Sequence, residues 1–281
     1  MITGLIGAPS LKNPQTHLLN VSEKASAGQL EEKWPSLIES RSVEELTGFL
    51  STNSNLPGPR ANLTLAFKAA ELILRDWQKH EALLRKLLNM WAHSMDEYLL
   101  LCRNVALGYI LSGYDDQVYE EVLYRQNFHP TWRAREAVTL GLQKTLSSRP
   151  GYTLRLLAKW NRSGDALILR NTLMVLADPP TLRNSEQARD SLRAYVVEAM
   201  ELVKHSSPEA KRSDDYKLLK KSLGFVPSVA AVHDKRIIDD MENWVQADVK
   251  EWKTILRSNL GKSRLEKAYP VESERIKAVL G

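Results

Sequence analysis

The chain has 281 residues, 43% hydrophobic and 26% charged, which is material for a substantial core and excludes disorder of the whole. Its one cysteine, Cys102, excludes an intrachain disulfide framework and a cysteine-rich zinc site. Net charge is +5, and residues 1–100 hold 10 basic against 11 acidic side chains, so the positive excess lies after residue 100, where it could meet nucleic acid or an acidic protein.

Residues 1–26 mix Gly, Pro, Ser, Asn and Thr without periodicity and are expected to form a flexible arm, with the folded body over 27–281. The N-terminus lacks a basic region followed by a long apolar one, so no signal peptide is read. No run approaches the roughly 18 apolar residues of a membrane span, and a cytoplasmic location is expected. Over 28–51 the pattern predicts two short amphipathic helices, with Ser42 as an N-cap and Glu45 completing a capping box. Pro57, Gly58 and Pro59 make 51–60 the best linker candidate. A helix follows near 60–77.

From residue 79 the pattern predicts helix pairs joined by short turns: 79–92 with 96–112, 115–126 with 130–147, 150–160 with 165–178, 185–205 with 214–224, and 233–246 with 248–260. The second helices superpose without gaps. Arg103 opens RNVALGYI, Arg135 opens REAVTLGL, Arg170 opens RNTLMVLA, Lys220 opens KKSLGFVP and Lys253 opens KTILRSNL. The steps are 32, 35, 50 and 33 residues, the long one containing the insertion 177–192. Such periods, built from helix pairs, predict an all-α helical solenoid, an α-α superhelix in which stacking buries the faces one pair cannot. Five residues before the basic position stand Asp165, Asp215 and Asp248 in the later copies. A carboxylate there can cap its helix while the basic residue reaches a neighbouring repeat.

The segment WRARE at 132–136, the pair GYTLRLLAKW and NRSGDALILRN at 151–171, and DVKEWKTILRSNLGKSRLEK at 248–267 resemble bacterial HEAT-like repeat proteins. They are similar in particular to those related to the alkylpurine DNA glycosylases of the DNA alkylation repair family. The likeness covers about residues 79–267. It implies a basic face built from second helices, with tryptophans flanking a catalytic aspartate beside a damaged nucleotide. Trp132, Arg133, Arg135 and Arg170 correspond to the repeat pattern, but no carboxylate between tryptophans is assignable as catalytic.

Other chemistry has no signature. The six histidines form no HxxxH pair, so no metal is expected. Gly261-Lys262-Ser263 lacks the earlier glycine and the strand of a phosphate-binding loop, and no cofactor is expected. Adjacent acids at 115/116, 214/215 and 239/240 suit helix dipoles better than acid–base work. Trp91, Trp160 and Trp244 fall near the ends of first helices and are expected to pack between repeats. Trp132 and Trp252 open second helices beside Arg133 and Lys253, where a ring can line a groove. The expected function is a non-catalytic HEAT-like scaffold that binds a protein partner or duplex DNA on a basic concave face. The expected contacts are Trp132, Arg133, Arg135, Arg170, Lys220, Trp252, Lys253 and Arg257. A glycosylase-like enzyme acting on alkylated bases is the alternative.

Overall fold

The computed structural model describes residues 14–281, with side chains from residue 23 onward. Among the described residues the fold is all-α, without a strand. The part of the expected arm over 1–13 lies outside the described residues. Over 14–26 the expectation is corrected, because helix α1 runs Pro14–Glu39. Its latter half carries a stripe of Ala27, Leu30, Trp34, Leu37 and Ile38, all buried, at the spacing of one helix face. The Trp34 indole donates to Asp76 Oδ2 at 2.6 Å, so even the polar edge of that ring is satisfied.

The expected pairs form, with ends shifted by a residue or three. They are α4 (Trp77–Ala92) with α5 (Glu97–Leu111), and α6 (Gln117–Gln126) with α7 (Trp132–Ser148). Then come α8 (Pro150–Asn161) with α9 (Ala166–Leu176), α11 (Glu186–His205) with α12 (Asp214–Leu223), and α14 (Arg236–Gln246) with α15 (Lys250–Leu260). Before them stand α2 (Val43–Thr52) and α3 (Leu63–Arg75). Between and after them lie α10 (Pro179–Asn184), α13 (Val226–His233), α16 (Ser263–Ala268) and α17 (Pro270–Leu280).

The chain divides into two compact units, and the division falls inside α7, between Gly141 and Leu142. In the first unit α3 packs on both α1 and α5, and α5 also receives α2, α4 and α6. Segment 51–60 therefore links no domains. Its first two residues end α2, and the rest is a closed loop, in which the Gly58 N–H donates to the Asn55 carbonyl and the Asn62 N–H to the Ser54 carbonyl, both at 2.9 Å. The capping box at α2 does not form. Ser42 follows Arg41 in the left-handed region (φ 54°) and makes no side-chain cap bond. Its own φ of −82° and ψ of 76° lie outside the extended region that aims an N-cap hydroxyl at the first N–H groups.

In the second unit α9 packs on α11 and α12, and α11 continues to α13 and α15. The fourth second helix is broken rather than ended. Gly224 and Phe225 interrupt it, and α13 resumes with Pro227 in its first turn, where a missing N–H costs nothing. The insertion 177–192 holds α10, capped by Asp178, and the start of α11, capped by Ser185.

Candidate functional site

Each expected contact residue sits on a second helix, but the eight divide between the units. Trp132, Arg133 and Arg135 belong to the first, and Arg170, Lys220, Trp252, Lys253 and Arg257 to the second.

At α7 the chain leaves α6 through Asn127–Thr131. The His129 Nδ1 atom accepts the Thr131 N–H at 3.1 Å, which tightens the turn. Arg135 reaches back into that turn and donates to the carbonyls of His129 and of Pro130, the latter at 2.9 Å. Its guanidinium closes its own hairpin. Arg133 points to α5, whose N-terminus is prepared for it. Asp96 caps that helix by accepting the Tyr98 N–H at 2.8 Å, and Glu97, the next residue, pairs with Arg133 at 2.7 Å. Arg133 is largely buried, and its Nε is enclosed without an acceptor. The guanidinium carbon also lies 4.7 Å from the centroid of the Trp132 ring, within the range of a cation–π contact.

Trp132 differs from every other tryptophan of the chain. It is 48% exposed, whereas Trp34, Trp77, Trp91, Trp160, Trp244 and Trp252 are all buried, none beyond 7%. Trp91, Trp160 and Trp244 are thus buried, and Trp244 meets Trp252 of its own helix pair. Phe128, four residues earlier, is 43% exposed and meets Tyr124 edge to face at 5.6 Å. Met95, in the α4–α5 turn two residues before Glu97, is 98% exposed. The Arg133–Glu97 pair places the starts of α5 and α7 side by side, so Met95, Phe128 and Trp132 stand at one end of the hairpins. Sequence reasoning missed Glu97, Phe128 and Met95. The spacing of Tyr124, Phe128 and Trp132, each four apart, was the available signal.

The second unit corrects the expectation for Trp252. Its ring is buried, its indole donates to the Met200 carbonyl at 2.8 Å, and it leans on Trp244 at 6.3 Å between centroids. It lines no groove. Lys253 pairs with Asp248 at 2.9 Å within its own turn and helix, and Arg257 donates to the Leu280 carbonyl at 2.7 Å. Lys220 is half-buried near Glu251, whose carboxyl is held below its ordinary range mainly by the Lys211 ammonium at 2.7 Å. Arg170 is half-buried. Asp165 caps α9, accepting the Leu167 N–H at 2.7 Å and the Ile168 N–H at 3.4 Å. Of the three acids expected to cap, only Asp165 does so: Ser213 caps α12 in place of Asp215, and α15 has no side-chain cap, Asp248 pairing with Lys253 instead. Arg103, Arg135 and Lys253 serve their own hairpins rather than a neighbouring repeat.

Among the described residues no group of three His, Cys, Asp or Glu is placed to hold a metal ion, and no helix is long and apolar enough to cross a membrane. Compared with models of known protein families, with curated proteins and with solved structures, the chain matches none.

Proposed function

We propose that the chain is a non-catalytic HEAT-like repeat scaffold that binds a protein partner, and that Trp132, Phe128 and Met95 are its contact in the first unit. The observation that carries this reading is the exposure of Trp132 in a chain that buries its six other tryptophans. Leaving an indole in water forgoes a large burial gain, and exposed Trp beside Arg is the composition of energetic centres in protein interfaces. The guanidinium over the ring fixes the indole in place, so little side-chain freedom is lost on binding.

The state of the cations favours a protein over duplex DNA. Gripping a phosphate backbone takes ammonium and guanidinium groups free to release counterions. Arg133 and Lys253 are paired with carboxylates, and Arg135 and Arg257 with backbone carbonyls.

A displayed random-peptide library selected on the intact chain tests the proposal. Enriched peptides are expected to lose about tenfold or more in affinity on Trp132→Ala, an interface centre being worth at least about 2 kcal/mol. The unfolding midpoint should stay unchanged, because the ring is not part of the core. Binding indifferent to Trp132, or no enrichment, rejects the site. Duplex DNA titrated at low salt is expected to show no affinity. Salt-sensitive binding lost on Arg133→Ala would install the DNA reading instead, and release of a methylated purine from alkylated DNA would install the glycosylase.

A further inference from the structure

Helices α1 and α2 pack on each other at the start of the first unit, and a cleft of about 250 Å³ lies between them. Leu37, buried, and Phe49, half-buried, give it an apolar side. Lys33 of α1 and Glu45 of α2 line the same cleft. The Lys33 ammonium stands over the Phe49 ring, 5.9 Å from its centroid, a cation–π contact that holds it at the cleft. Neither Lys33 nor Glu45 has an ion-pair partner among the described residues, and Glu45 is not engaged in a capping box. Asn53, at the far end, donates its amide to the Phe49 carbonyl at 2.8 Å and keeps its side-chain oxygen as an acceptor. Gly48 also lines the cleft, in the middle of α2. A Cβ there would meet nothing within 4 Å, and its φ is not positive. Neither crowding nor backbone conformation calls for a glycine, which after proline is the poorest helix former. What its bare backbone does is leave the cleft open.

We propose that the cleft between α1 and α2 binds a free α-amino acid with an apolar side chain. A simple anion is drawn to Lys33 and repelled by Glu45, and a simple cation meets the reverse. A zwitterion is attracted by both, its carboxylate toward the Lys33 ammonium and its ammonium toward Glu45 and the Asn53 oxygen. The side chain then lies against Leu37 and Phe49, over the bare backbone of Gly48. The volume sets the size of the ligand, since about 250 Å³ falls below the about 300–1,000 Å³ of pockets for drug-sized molecules. A residue inside a peptide carries neither charge, and a terminal residue only one of them. The free amino acid is the form that meets both.

Saturation-transfer NMR on the full chain, titrated with L-leucine at low ionic strength, tests the site. Saturable binding with a Kd of about 1 mM or tighter is expected. L-Leucinamide keeps only the ammonium and N-acetyl-L-leucine only the carboxylate, as the two ends of a peptide would. Each should bind about tenfold more weakly or worse, one charged hydrogen bond having been lost. Lys33→Met should weaken leucine about tenfold and leave leucinamide unchanged, and Glu45→Gln should weaken leucine likewise and leave N-acetyl-leucine unchanged. Gly48→Leu fills the cleft from a better helix former. It should abolish leucine binding while the unfolding midpoint of the free chain rises. No saturation up to about 50 mM, some fifty times the expected Kd, overturns the proposal. Equal affinity for leucine and either single-charge analogue overturns it too, as does a Gly48→Leu chain that binds leucine undiminished. A midpoint lowered by Gly48→Leu also overturns it, because the glycine then serves the fold and not a ligand.

Discussion

At the scale of single residues, three buried asparagines bond to backbone where helices begin or break. Asn62 caps α3 by accepting the Leu65 N–H at 3.0 Å, and its amide donates to Ser26 Oγ and to the Asn53 carbonyl, both at 3.0 Å. Asn104, fully buried in α5, donates to the Ala134 carbonyl of α7 and to Gln126 Oε1, each at 3.1 Å. Asn259 of α15 spans the break between α12 and α13. It donates to the Leu223 carbonyl at 2.7 Å and accepts the Ser228 N–H at 2.9 Å, two backbone groups the interrupted helix leaves open. Asn259→Ala strands both groups out of water, at about 1–3 kcal/mol each. Urea unfolding should therefore show a loss of about 2–5 kcal/mol. Ser258→Ala removes an exposed bond to the Gly224 carbonyl from the adjacent residue and should cost under about 1 kcal/mol. Equal losses would mean that the break is not what Asn259 supports.

At the scale of elements, α5 and α7 cross where glycine faces glycine. A Cβ on Gly108 would stand 2.3–2.5 Å from backbone atoms of Gly141, which no side-chain rotation relieves. Gly108→Ala must force the two helices apart and is expected to cost about 2–3 kcal/mol or more, although alanine is the better helix former. Gly113→Ala meets a Leu74 methyl at 3.3 Å and the Ile110 carbonyl at an ordinary 3.9 Å, and serves as the tolerant control for the same denaturation experiment. The crossing was visible in part: RNVALGYI and REAVTLGL align, and each carries a glycine toward its end, one position apart. What the alignment could not supply is that the two glycines touch. Helix pairs were legible because apolar spacing and short turns are local signals, and α10 and α13 were missed because their opening prolines read as breaks. The site was legible at Trp132 and not at Trp252, for a geometric reason. Trp132 is the first residue of α7 and Trp252 the third of α15, so at 3.6 residues per turn they point about 200° apart around their helices. Both open a helix beside a cation, and only the structure distinguishes the ring that faces water from the ring that faces Met200.

At the scale of the whole molecule, both units rely on carboxylates held in the ionised form. In the first, Asp76 is held below its ordinary range chiefly by Arg75, at 2.9 Å, with the Trp34 indole adding to it. In the second, burial works to raise the Asp234 carboxyl, but Arg236 outweighs it and the net shift is downward, while Lys211 lowers Glu251. A depressed carboxylate contributes stability that is complete above its unfolded value and is lost as pH falls through the folded one. His233 adds in the same direction. Its folded value lies below 6.5, so acidification protonates the unfolded chain first and draws the equilibrium toward it. Glu198 works the other way, since burial raises its carboxyl, but it is one group against four. The urea midpoint is therefore expected to be level in mildly alkaline buffer, to begin falling near pH 6.5, and to fall more steeply below about pH 4.5, where the carboxylates join. His233→Asn should remove the first part of that fall and leave the second. Asp76→Asn should lower the midpoint at neutral pH and flatten the acid limb, because the stability it carries is already gone. A midpoint that stays constant to pH 3 would show that these pairs exchange for water without net gain, as most exposed ion pairs do, and that apolar packing alone holds the two units.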